Sequence, residues 1–80
     1  MRYVVKIETK KDFLYLYVIN NNVPALCCKW EDATFFRTIA EATHGISLIR
    51  QNFADLGIQS FEVRGVNTSM DSSVYAKELA

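Results

Sequence analysis

The stretch "KDFLYLYVINNN", Lys11 to Asn22, sets seven apolar residues, Phe13 to Ile19, directly in front of three asparagines. A strand with one face in water alternates apolar and polar side chains, because successive residues point to opposite faces. An unbroken run therefore implies a strand with both faces occupied. Just upstream, "RYVVKIE" (Arg2–Glu8) is a second run rich in β-branched residues, separated from the first by the polar Thr9-Lys10-Lys11-Asp12. Two such runs joined by so short a connection read as a β-hairpin. Pairing Thr9 with Asp12 sets Ile7 opposite Leu14, Val5 opposite Leu16 and Tyr3 opposite Val18, an almost wholly aliphatic face. The other face then carries Val4, Lys6 and Glu8 against Tyr17, Tyr15 and Phe13. A slip of one residue would mix the two sets, so the pattern selects this register.

Working outward, Asn20-Asn21-Asn22 provides side chains that tolerate positive φ and suit a tight turn. The next run, "VPALCCKW", forms a third strand in which Leu16 meets Leu26, Leu14 meets Cys28 and Trp30 joins the aliphatic face. Pro24 cannot donate to a ladder, which puts this strand at an edge or Pro24 among its first residues. A helix follows. Thr38 and Glu41 in "TIAE" have the spacing of a capping box, and Ile39, Ala42, Ile46, Ile49, Phe53 and Leu56 recur at steps of three and four, with Gly57 as the stop. Gly45, inside the helix, costs about 1 kcal/mol relative to alanine, which suggests either a close approach or simply a local weakness. "SFEVRGV" closes the sheet as a fourth strand, expected parallel to the first through a right-handed crossover, in the order 3-2-1-4.

The expected fold class is α+β, a two-layer β-β-β-α-β arrangement in residues 1–66. Residues 67–80 form a polar spacer, "NTSMDSS", and a C-terminal tail, "VYAKELA", expected as a short helix able to dock through Val74, Tyr75 and Leu79. With 80 residues there is room for one modest core and no second domain.

Composition narrows the function classes. Nine basic residues balance nine acidic ones, too few clustered cations for a general phosphate-binding surface. Lys6 and Glu8 interrupt the N-terminal apolar stretch before a signal-peptide core or a membrane span could form, so a cytoplasmic protein is expected. Cys27 and Cys28 are adjacent and point to opposite faces of a strand, which makes a bond between them strained; they read as reduced thiols packed as small hydrophobes. The single histidine, His44, falls opposite the helix stripe, away from both cysteines. Neither a Cys/His nucleophilic pair nor a four-ligand metal set can be assembled. Glu31 and Asp32 are successive residues and do not converge as a catalytic pair, and three glycines form no phosphate loop. No catalytic residue, cofactor or metal is expected.

One helix covers one face of a four-stranded sheet. The face left over carries Val4, Phe13, Tyr15, Tyr17, Ala25 and Cys27, rimmed by Lys6, Glu8, Lys29, Glu62 and Arg64. An aromatic patch with a charged rim is characteristic of an interaction surface, since tyrosine buries a large ring and keeps a polar tip. The residues expected to bind a partner are Val4, Lys6, Phe13, Tyr15, Tyr17, Lys29 and Arg64, the partner being a second copy or a foreign protein. The alternatives are that the C-terminal segment folds over the patch, that the tyrosines simply lie flat on a half-exposed sheet, or that Tyr15 and Tyr17 stack on the bases of a single-stranded nucleic acid.

"KWEDATFFRTIAEA" (Lys29–Ala42), followed by "LGIQSFEV" (Leu56–Val63), resembles a segment of small uncharacterised phage and prophage accessory proteins: a strand ending in Trp, a D-A-x-x-F turn, a Thr-capped helix and a final short strand. The likeness spans about half the chain. Phe36 fills the aromatic position of that pattern, whereas Arg37 stands where an acidic or small residue is usual. The resemblance implies a phage-encoded inhibitor or modulator that works by binding a host protein.

Overall fold

The computed structural model describes residues 2–20, 22–66 and 70–80, with side chains described at all of these except 70–72. The elements are β1 (Arg2–Thr9), β2 (Phe13–Ile19), β3 (Val23–Cys27), α1 (Ile39–Asn52), β4 (Ile58–Val66) and β5 (Met70–Leu79), with 3-10 turns at Trp30–Asp32 and Ala54–Leu56. The protein is α+β: one antiparallel sheet in the order β3-β2-β1-β4-β5, with α1 packed on one face.

At its closed end the hairpin register follows the apolar pattern, with Glu8 opposite Phe13, Ile7 opposite Leu14 and Lys6 opposite Tyr15, but the expected pairs Val5–Leu16 and Tyr3–Val18 are not formed, and Tyr3 pairs with Phe36. β3 is an edge strand. It sets Leu26 against Leu16 and Ala25 against Tyr17, with Pro24 opposite Val18. Asn22 takes the positive φ of 59° that the turn requires, while Asn21 lies outside the described residues. Val5, Ile7, Leu16, Ala42, Ile46, Ile49, Phe61 and Val63 form the main core between sheet and helix, flanked by Leu14, Val18, Leu26 and Phe53.

The sheet departs from the expected arrangement in its fourth strand. β4 is antiparallel to β1, with Val5 opposite Val63 and Ile7 opposite Phe61, not parallel to it. The reason lies in residues 28–37, which do not lead directly from β3 into the helix. They descend the length of the sheet: Trp30–Asp32 forms its turn beside the end of β3, Thr34 reaches the level of Leu16 and Val18, and Phe36 pairs with Tyr3 at the far end of β1. α1 therefore starts at that end, and the chain reaches the start of β4 already turned round.

β1 and β2 pair through only three cross-strand positions before this segment separates them. The Thr34 amide donates to the Leu16 carbonyl at 3.0 Å, and the Val18 amide donates to Thr34 Oγ1 at 2.7 Å. Tyr3 and Phe36 exchange two backbone bonds of 2.9 and 2.7 Å. Residues Ala33–Phe36 thus form a strap that passes between two strands of the sheet. It carries the chain from the face away from the helix, where Ala33 is buried against Val4 and Val66, to the helix face, where Phe36 packs on the core.

Three further expectations are corrected. Trp30 packs with Val4, Ala33 and Val66 on the face opposite the helix and not with the aliphatic set, because the chain leaves β3 at Cys27 before strand alternation could carry Trp30 there. The helix ends at Asn52, so Leu56 belongs to the following 3-10 turn, and Gly57, at φ 70°, ends that turn instead of α1. The C-terminal residues form β5 and not a helix, pairing with β4 from Val66 opposite Met70 to Ser60 opposite Leu79, with two irregularities. Of the supposed polar spacer, residues 67–69 lie outside the described residues and residues 70–73 belong to β5.

The helix cap forms as its sequence implies. Thr38 Oγ1 accepts the Glu41 amide at 3.1 Å, although Glu41 Oε2 reaches back to the amide of Arg37, one residue earlier than a capping box requires. Gly45 marks a close approach. A Cβ there would lie 2.6 Å from Leu16 Cδ2 and 3.2 Å from Phe36 Cζ. Leu16 is fully buried, so its methyl group cannot move aside without disturbing the core. Gly45→Ala should therefore destabilise the fold by about 1–2 kcal/mol in chemical denaturation, overpacking outweighing the gain in helix propensity; an increase in stability would show that the contact is slack.

Candidate interaction face

The face away from α1 is built by alternation from β1, β2, β3 and β4. Odd-numbered residues of β2 point to it: Phe13, Tyr15, Tyr17 and Ile19, opposite Glu8, Cys27 or Lys6, Ala25 and Val23. It is not uniformly open. Val4 is fully buried and, with Ala33 and Val66, forms a second small core on which Tyr15, Cys27 and Trp30 pack. The cover is supplied by residues 28–33, whereas the C-terminal segment extends the sheet beside β4. Phe35 stacks on Trp30, ring centroids 6.3 Å apart with an interplanar angle of 28°.

The seven residues expected at this surface fall into distinct environments. Val4 lies beneath the cover and offers nothing to a partner, a correction with a simple cause: its place at the centre of the sheet coincides with the strap. Phe13 and Tyr17 are exposed. Lys6 is half-buried and holds its ammonium 4.1 Å from the centre of the Phe13 ring, a cation–π contact across the diagonal of the hairpin. Lys29 is exposed, while its carbonyl accepts Cys27 Sγ at 3.4 Å.

Arg64 is tied down. Its Nε and Nη2 both lie 2.9 Å from Glu62 Oε1, and Lys77 Nζ is 3.9 Å from Glu62 Oε2. Ser60, buried beside them, donates to Glu8 Oε1 at 2.9 Å. The β4 half of the face is thus a paired polar network, and its cations already have carboxylate neighbours.

Tyr15 and Cys27 sit at the border between the covered and open parts. Burial pushes the Tyr15 hydroxyl above its ordinary pKa of 10.0, against the pull of nearby Arg64 and with the help of Glu31, Cys27 and Glu62. Burial likewise raises the Cys27 thiol above 9.0, opposed by a hydrogen bond with the Lys29 backbone and assisted by Asp32 and Cys28. Cys27 Sγ also lies 3.6 Å from the Tyr15 carbonyl. A raised thiol pKa keeps the sulfur protonated and poorly nucleophilic at neutral pH, and His44 is exposed on the helix, on the other side of the sheet. Among the described residues no three of His, Cys, Asp and Glu group as a metal ion would need, and no helix is long and apolar enough to cross a membrane.

Sequence reasoning missed Ile19, Val23 and Phe35, all exposed near the β2–β3 turn and the strap. The first two were legible, because the alternation that selects Phe13, Tyr15 and Tyr17 continues to Ile19 and, across the ladder, to Val23. Phe35 was not, since its exposure depends on the path of the strap. No family model matches the chain, and neither does any curated protein or solved structure.

Both pKa shifts are upward, so the folded chain holds protons that the unfolded chain releases first. Their contribution to stability is complete below about pH 9 and is lost as pH rises through the folded-state values. The denaturation midpoint should therefore be lower at about pH 10.5 than at about pH 8, with the fall reduced in Tyr15→Phe combined with Cys27→Ala. An equal fall in the double variant would place the titration elsewhere.

Proposed function

We propose that the chain is a non-enzymatic protein-interaction module that binds through the open part of the face away from α1. One observation carries the reading: Phe13, Tyr17, Ile19 and Val23 are 53%, 43%, 46% and 50% exposed, although all four project from the same side of the β2–β3 hairpin. Scattered exposed apolar residues are ordinary; a row of them down one strand and across to its neighbour is not. Phe35, at 42% exposed, adds a ring from the strap side. The reading extends to a phage-encoded protein that acts on a host protein in the cytoplasm, supported by the sequence resemblance alone.

The open row differs from the surface drawn from sequence. Tyr17, Ile19 and Val23 lie toward β3 and the β2–β3 turn, while Phe13 stands at the other end of β2, opposite Glu8. Association through the row would bury flat rings and aliphatic side chains without desolvating the paired charges of β4, which are expensive to strip of water unless every partner is kept.

Single-stranded nucleic acid is the second reading, favoured by the stack of Phe35 on Trp30 and the ammonium of Lys6 over Phe13. Against it, Arg64 and Lys77 are engaged with Glu62, which leaves few cations to follow a phosphate backbone.

Light scattering on a sizing column across a hundredfold concentration range provides the test. A mass above the 9.2 kDa chain that falls on dilution is expected, with Phe13→Glu/Tyr17→Glu remaining monomeric at every concentration and keeping its helical circular dichroism. Association unaffected by the two glutamates would overturn the use of this row. A wild type of one-chain mass throughout would restrict the reading to foreign proteins, and a labelled mixed-sequence oligonucleotide that binds the wild type but not the variant would transfer it to nucleic acid.

A further inference from the structure

We infer that the strap Ala33–Phe36 is a releasable latch, and that when it withdraws, β1 and β2 close directly on each other. The argument begins with the register. Glu8–Phe13, Ile7–Leu14 and Lys6–Tyr15 are paired, and continuing the same ladder puts Val5 opposite Leu16, Val4 opposite Tyr17 and Tyr3 opposite Val18. Every one of these is an apolar pairing of the kind that stabilises a sheet. The hairpin stops half closed only because the strap occupies the gap.

The hydrogen bonds balance in both arrangements. The strap engages the Tyr3 amide and carbonyl, the Leu16 carbonyl and the Val18 amide. In an antiparallel ladder, alternate residues turn both backbone groups toward the same neighbour. Thr9 uses its amide to bond Asp12 at the head of the hairpin, so Ile7, Val5 and Tyr3 turn theirs toward β2 as well. The groups that hold the strap are therefore those that would bond across the closed seam, and its departure leaves none of them unpaired in β1 or β2.

What distinguishes the two states is apolar contact. Release takes Ala33 and Trp30 off Val4 and Val66 and lifts Phe36 from beside Gly45, while closure adds the Val5–Leu16 and Tyr3–Val18 contacts. The strap is flanked by exposed residues, Cys28 and Lys29 on one side and Arg37 on the other, which can swing without unburying charge. Two arrangements with similar hydrogen bonding and different surfaces are what a two-state element requires. Release would widen the open apolar row by Val4 and its neighbours. The proposal stands independently of whether that row binds a protein.

Amide hydrogen exchange on the intact chain gives a fingerprint. In the released state Thr34 and Phe36 lose their acceptors, while Tyr3 and Val18 regain partners across the seam. The protection factors of Thr34 and Phe36 should therefore lie at least about tenfold below those of Tyr3 and Val18. If all four amides share one protection factor, the strap merely frays or opens with the whole fold, and the proposal fails. A second measurement traps the closed seam. In Tyr3→Cys/Val18→Cys, made with Cys27→Ala and Cys28→Ala, the two sulfurs are kept apart by the interposed strap, about two strand spacings or roughly 9–10 Å between backbones, beyond the reach of a disulfide. Mild oxidation should nevertheless cross-link them with the helical signal retained. Failure to cross-link would also overturn the proposal.

Discussion

Strand β1 lies third in a five-stranded sheet and carries apolar side chains that need cover on both faces, Val5 and Ile7 on one and Val4 on the other. The described residues include one long helix, α1, which covers one side. Val4, fully buried on the other, shows that the second side is covered too, and the cover is made from the connection between β3 and α1. Ala33 and Trp30 supply its apolar contacts, and Thr34 fixes it through two hydrogen bonds to β2. Because the cover must return to the helix side, it passes through the sheet. That passage determines where α1 begins and hence the antiparallel direction of β4.

The same requirement separates the two halves of the outer face. Near β4, charged groups are paired: Arg64 with Glu62, Lys77 close by, and Glu8 bonded to Ser60. Near β3 the cover ends and the apolar row begins. The sheet edges, by contrast, are poorly suited to lateral pairing. β3 is five residues long and carries Pro24, which lacks an amide hydrogen; β5 is interrupted by two register irregularities and holds Lys77 and Glu78, and the Leu79 carbonyl is taken by Arg50 at 2.8 Å. Short, bulged and charged edges resist strand addition, which leaves the faces as the surfaces available for association.

Much of this was legible in the sequence because local rules were obeyed locally. The alternation in "FLYLYVI" gave the hairpin register and the partition of side chains between faces, Thr38 gave the helix start, and Gly45 offered a close approach as one of its two readings, without naming Leu16 as the neighbour. The strap was not legible. "EDATFF" contains no period of two or 3.6, and its bonds are made to residues far away in the chain. β5 was hidden for a different reason: Ala, Lys, Glu and Leu favour a helix in isolation, and strand geometry is imposed by contacts that only the assembled sheet provides. Tyr75 meets Tyr3 edge-on at 5.4 Å, Lys77 approaches Glu62, and Glu78 pairs with Arg50 at 3.4 Å. Sheet context overrides propensity most easily in such a short segment. At the site, the aromatic row was visible and its cover was not, so Val4 was assigned to a surface it does not reach.

The passage of the strap between β1 and β2 also constrains the order in which the chain can fold. A hairpin forms in about 1–10 μs, and nothing in the facing residues of β1 and β2 tells it to stop at Lys6 and Tyr15. The strap must make contacts with strands separated from it by more than a dozen positions, which carries a larger loop-closure cost and a slower approach. The quickest local event therefore competes with the native arrangement, and productive folding requires the lower half of the hairpin to stay open until Thr34 and Phe36 arrive. Apolar side chains that make β2 a good strand thus also give the young chain a reason to close too early.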